Sequence, residues 1–116
     1  MVQFIQQPRR VDAPGNKVIN EYFGRLATGT ETVSIAWMVA PPGWTEPPQQ
    51  PEFNEYTIVL SGTLMVTLRG EELVVRRGEA VLVEKGEWVQ YSTTEGAEYI
   101  AICMPAFSPQ LAHRQE

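Results

Sequence analysis

The stretch Asn54-Glu55-Tyr56-Thr57-Ile58-Val59-Leu60-Ser61-Gly62 decides the fold. It is dense in β-branched and aromatic residues, no proline interrupts it, and a glycine closes it, as in a strand that runs into a turn. Side chains alternate across a strand, so Glu55, Thr57 and Val59 share one face, and Tyr56, Ile58 and Leu60 the other. Leu64-Met65-Val66-Thr67-Leu68 follows almost at once, and so short a connection predicts an antiparallel hairpin at Ser61-Gly62.

Further strand signals lie on either side. Val33 to Val39 is ended by Pro41-Pro42-Gly43, and Leu73 to Val75, Ala80 to Val83, Trp88 to Ser92 and Tyr99 to Met104 follow, each preceded by a glycine-bearing break. Turns that recur about every 8 to 15 residues predict a sandwich or barrel. Gln6 to Gly15 reads as an arm or loop, and Leu111 to Glu116 has room for one helical turn. The connection from Pro41 to Phe53, with prolines at 41, 42, 47, 48 and 51, is long, stiff and polar.

At 116 residues the chain fits one domain, and 43% hydrophobic with 20% charged residues excludes a disordered polypeptide. A single cysteine, Cys103, rules out an internal disulfide and a thiolate metal cluster. The net charge of −5 opposes nucleic-acid binding. No apolar run approaches the ~20 residues of a membrane span, and Met1 to Gln7 lacks the features of a secretory signal, so a cytoplasmic protein is expected.

Two glycine-framed motifs in order resemble the cupin superfamily. In the first, Glu55 is followed by the six residues Tyr56 to Ser61 and then Gly62; in the second, Gly78 and Glu79 to Val83 are followed by Glu84, Lys85, Gly86, Glu87-Trp88 and Val89. The ending Ala97 to Phe107 is similar to small cupins of the ethanolamine-utilisation type. The resemblance covers about Thr32 to Pro105 and implies an all-β fold, the double-stranded β-helix or jelly-roll barrel of two antiparallel sheets. The expected organisation is an N-terminal arm (1–17), a barrel (18–107) and a tail (108–116).

A typical cupin holds a divalent metal with two histidines and the glutamate of the first motif and one histidine of the second. Here the histidine pair falls on Gln49 and Pro51, or on Pro48 and Gln50, and the last histidine falls on Val89. Only Glu55 remains of that set, and one carboxylate does not hold a transition metal. No cofactor is therefore expected. The alternative is a hard cation held by Glu55 with Glu46, Gln50 or Glu52.

If Glu55 faces into the barrel as the family implies, Thr57, Val89 and Tyr91 face in with it. Burial raises a carboxyl pKa toward the range of a general acid or base, which makes Glu55 and Tyr91 the candidate catalytic pair. The plainer alternative is that Glu55 accepts hydrogen bonds and does no chemistry. Glu46, Gln49, Gln50 and Glu52 at the barrel mouth, with Thr57, Trp88 and Val89, are the candidate ligand contacts. The face that Trp37 occupies stays open. The function expected is binding of a small molecule without the usual metal. The alternatives are an isomerase, epimerase or lyase acting on a small polar or sugar-like metabolite through Glu55, or a metal enzyme with substituted ligands. The arm and Tyr22-Phe23 suit strand exchange, so a homodimer is expected.

Overall fold

The structure, a computed structural model, describes residues 1–115. Eight strands and a short helix follow in order: β1 (Arg9–Val11), β2 (Val18–Phe23), β3 (Ser34–Ala40), β4 (Asn54–Leu68), β5 (Glu71–Arg76), β6 (Ala80–Val83), β7 (Val89–Ser92), β8 (Ala97–Met104) and α1 (Pro109–Ala112). The larger sheet runs β1-β2-β3-β8-β4-β6, and the smaller places β4 between β5 and β7. Every pairing is antiparallel. Among the described residues no helix is long and apolar enough to cross a membrane.

The hairpin expected at Ser61-Gly62 does not form. β4 is one strand of 15 residues that leaves the larger sheet and enters the smaller. Its register against β8 shifts between Val59 and Ser61, and Gly62 adopts φ +72°. A Cβ at Gly62 would lie 2.0 Å from the Gly96 carbonyl oxygen, so only glycine lets the two backbones pass this closely. The bulge bends the strand round the barrel corner without reversing it.

The core lies between the sheets, with Val59, Leu64, Val66, Val75, Val83, Val89 and Tyr99 among its buried members. Arg9–Val11, inside the segment read as an arm, adds an edge strand to β2. The tail beyond 107 folds back on the barrel: Phe107 stacks on Phe53 at 5.8 Å, and the Glu52 N–H donates to the Leu111 carbonyl at 2.8 Å. Glu116 lies outside the described residues.

The outward face of the larger sheet is also apolar. One cross-strand row is Leu82, Tyr56, Ile102, Ile35 and Phe23, and the next is Ala80, Ile58, Ile100 and Trp37. An antiparallel sheet that faces water normally alternates apolar-in with polar-out. Here Tyr56, Ile58, Leu60, Leu82 and Met104 stand 38–48% exposed. Trp37 lies on this outer side, with its indole N–H donating to Glu98 at 2.7 Å.

Candidate functional site

Glu55, Thr57 and Val59 point into the barrel and are at most 8% exposed, whereas Tyr56, Ile58 and Leu60 point out. Val89 and Tyr91 are buried opposite them. Glu46 and Gln49 reach the same interior by a different route, since the proline-rich loop runs beside β7 like an irregular extra strand. The Thr93 N–H donates to the Trp44 carbonyl at 2.9 Å, the Glu46 N–H to Tyr91 at 3.3 Å, and Gln49 and Val89 exchange two bonds of 2.9 Å. Strand-like alternation then sends Trp44 and Glu46 inward and Thr45 outward.

Between the larger sheet and this loop lies a cavity of about 40 Å³, lined by Lys17, Glu21, Glu46, Glu55 and Arg114 together with polar and apolar neighbours such as Gln49, Ser34 and Cys103. At roughly 10–15 Å³ for one water, it holds about three water-sized guests. These five charged side chains line it from separate parts of the chain, and the Glu21 carboxylate accepts from the Leu26 and Ala27 N–H groups at 3.1 and 2.8 Å. Among the described residues none of the five makes an ion pair, and no hydrogen bond joins them to one another. Gln49 Oε1, Thr57 Oγ1, the Tyr91 hydroxyl and Arg114 Nε are buried without partners.

The electrostatics follow from this crowding. Burial, with the neighbouring charge of Glu46, pushes the Glu55 carboxyl up to about 7, while Lys17 and Arg114 pull the other way. Burial raises Glu46 as well, against Lys17 and Arg114. Burial lowers Lys17, with Glu46 and Glu55 opposing. The Tyr91, Tyr99 and Cys103 groups are all pushed up by burial and by the adjacent carboxylates.

Gln50, Glu52 and Trp88 stand apart from this cavity. Gln50 and Glu52 edge an open depression on the surface, where the Glu52 carboxylate meets the His113 ring and the Gln50 amide donates to the Gly86 carbonyl at 3.0 Å. Trp88 points outward and donates to the Gln115 side chain at 3.1 Å. The loop's alternation explains the division, because Gln49 and Pro51 turn in while Gln50 and Glu52 turn out.

Lys17 and Arg114 are site residues that the sequence reading missed. Lys17 precedes β2, and its ammonium lies 4.3 Å from the centre of the Trp44 ring. The alternation Lys17, Ile19, Glu21 was a usable signal, but Val18 and Asn20 alternate equally well on the other face. Arg114 carries no local signal. It is brought in by the bridge between Gln49 and Arg114 and by the Gln115 N–H, which donates to Pro48 at 2.7 Å.

The metal that the fold implies does not fit this site. Two of the positions expected to carry histidine hold Gln49 and Val89, which pair with each other through their backbones. Lys17 and Arg114 bring two positive groups into the cavity that a divalent cation would share. Of the substitute ligands expected beside Glu55, Glu46 faces the same cavity, whereas Gln50 and Glu52 face solvent. Among the described residues no group of three His, Cys, Asp or Glu side chains is placed to hold a metal ion.

The two antiparallel sheets form a jelly-roll barrel with a small cavity between the larger sheet and the proline-rich loop. The chain belongs to the cupin domain family, whose model matches residues 36–104. It is 40% identical over 113 residues to "Endoribonuclease YbeY" of Myxococcus xanthus, covering 96% of this chain but only 38% of that protein. The ethanolamine utilization protein EutQ of Salmonella typhimurium superposes with a TM-score of 0.69 at 16% identity, over 90% of this chain and 100% of that one. The polyketide cyclase RemF of Streptomyces resistomycificus superposes at 0.73 and 17% identity, over 97% and 91%. Likeness at these identities carries the fold alone.

Proposed function

We propose that this chain is a metal-independent cupin that binds a small polar molecule in its barrel cavity. One observation carries the reading: Lys17, Arg114, Glu46 and Glu55 face a single, partly closed cavity without pairing with one another. Buried charge is costly unless it is paired, so a guest that offers both donors and acceptors stabilises this arrangement. The cavity volume favours a compact guest over a sugar ring. Native mass spectrometry of untagged protein tests the reading. A retained small organic mass, or thermal stabilisation by compact polar metabolites, supports it; neither effect across a broad metabolite panel overturns it.

A second reading is acid–base catalysis by Glu55 with Tyr91. It is favoured by a carboxyl poised near 7 and by an unpaired hydroxyl in the same interior. Glu55→Gln separates the two: turnover lost with binding retained supports catalysis, and unchanged turnover excludes it. Ribonuclease activity is not carried over from the Myxococcus protein, since this chain spans 38% of it and its charge of −5 repels RNA.

We also propose that two copies pack through the outer face of the larger sheet. Its five exposed large side chains present on the order of 400 Å² of apolar surface, within the roughly 300–600 Å² of the largest patch on a typical monomer. The half-buried Ile100, Ile102, Ile35 and Trp37 extend the face toward the roughly 800 Å² per partner of a stable interface. A second copy suits it because the two rows carry no charge, so the face meets itself without the repulsion that the chain's −5 imposes elsewhere.

A further inference from the structure

The chain has two lysines, and the fold places them in opposite environments. Lys85 is exposed between β6 and β7, whereas Lys17 lines the partly closed cavity. The Lys17 Nζ lies over Trp44 and 5.2 Å from the centre of the Tyr99 ring, and among the described residues no carboxylate comes within ion-pairing distance of it. A desolvated amine without a paired counter-ion gives up its proton more readily, and a neutral amine is the nucleophile that attacks carbonyl carbon. The same cavity holds two carboxyl groups, Glu46 and Glu55, that can deliver and accept protons. It also holds Arg114, whose Nε is buried and unpartnered and whose planar fork suits a carboxylate.

We infer that Lys17 forms an imine with a small carbonyl compound, a 2-oxo acid or aldehyde of about three to five non-hydrogen atoms, admitted to this cavity. The Nζ lone pair attacks the carbonyl carbon, the C=O π pair moves to oxygen, and one proton passes from nitrogen to that oxygen to give a carbinolamine. The C–O bond then breaks, and the hydroxyl leaves as water with a proton from Glu55. The iminium nitrogen returns its last proton to the Glu55 carboxylate, so one water is lost and no electrons change hands. Arg114 holds the carboxylate of a 2-oxo acid. The inference rests on the binding role proposed for the cavity and adds a covalent bond to it.

Reductive trapping tests it. Untagged protein is incubated with glyoxylate at pH 7, reduced with borohydride, digested and mapped by mass spectrometry, with Lys85 and the chain's own amino terminus as internal controls. Burial lowers the Lys17 amine and so raises its neutral fraction, and Lys17 should therefore carry a clear excess of adduct over Lys85. Lys17→Arg, with its melting temperature checked, should abolish the cavity adduct. Glyoxylate outperforming propanal supports the oxo acid, and the reverse supports a plain aldehyde. Equal labelling of the two lysines, or no adduct at Lys17 in a correctly folded wild type, overturns the imine. If native mass spectrometry still finds a bound molecule, the cavity's binding role survives that failure; if it does not, both fall.

Discussion

Replacing Glu55 by Gln should stabilise the protein, and by more as the pH rises. The folded Glu55 carboxyl holds its proton up to about pH 7, against an ordinary value of 4.5. Between those values the folded state binds protons that the unfolded state has lost, so stability falls as pH increases. The contribution is fully present below 4.5 and is lost as pH climbs through about 7. At about 1.4 kcal/mol per pH unit the loss amounts to about 3 kcal/mol, a large share of the roughly 5–15 kcal/mol that holds a domain together. Gln resembles the protonated acid in shape and does not ionise. Glu46 titrates in both proteins and largely cancels, whereas Lys17 loses the Glu55 charge in the variant, an interaction already contained in the Glu55 shift. Urea unfolding of both proteins from pH 5 to pH 8 measures the difference. The gap should be small at pH 5 and reach about 3 kcal/mol at pH 8, a midpoint shift of about 1–3 M. A gap that stays flat with pH, or a variant that is weaker at pH 8, would refute the argument that Glu55 is buried without a compensating partner.

Other consequences are equally direct. Gly62→Ala should cost at least about 2 kcal/mol, because the new methyl meets the Gly96 carbonyl and the backbone is left-handed there; Gly78→Ala, with nothing within 4 Å, should cost only about 1 kcal/mol. Chemical denaturation of both variants checks the contrast. Ile58→Asp places a charge at the middle of the outer apolar face and should convert a dimer to a monomer by light scattering without loss of melting temperature; a wild type that is already monomeric at micromolar concentration removes the proposed interface. Protein purified without a nickel column should contain far less than one equivalent of transition metal by elemental analysis, and a stoichiometric metal would contradict the reading of Lys17 and Arg114 as cavity cations.

The alternation along the first half of β4 and along β7 was legible from a period of two, and the family resemblance supplied which face turns inward. The glycine frames around Glu55 and Val89 located the barrel through their likeness to the cupin motifs. The bend at Gly62 was not legible, since a glycine with φ above zero serves a hairpin and a barrel corner equally well, and only the close pass of Gly96 separates them. Lys17, Glu21 and Arg114, three of the five charged residues that line the cavity, were also hidden. Glu46 and Glu55 lay in stretches already under suspicion, but Lys17 sits at an ambiguous strand start and Arg114 in a tail that long-range pairing alone folds back.

The most direct test of the account is a carbon-13 NMR titration of the Glu55 carboxyl, assigned by its loss in Glu55→Gln and repeated with added zinc or manganese. A midpoint near 7 that divalent metal leaves unmoved is the predicted result. A midpoint near 4.5, or a large displacement by stoichiometric metal, would contradict it.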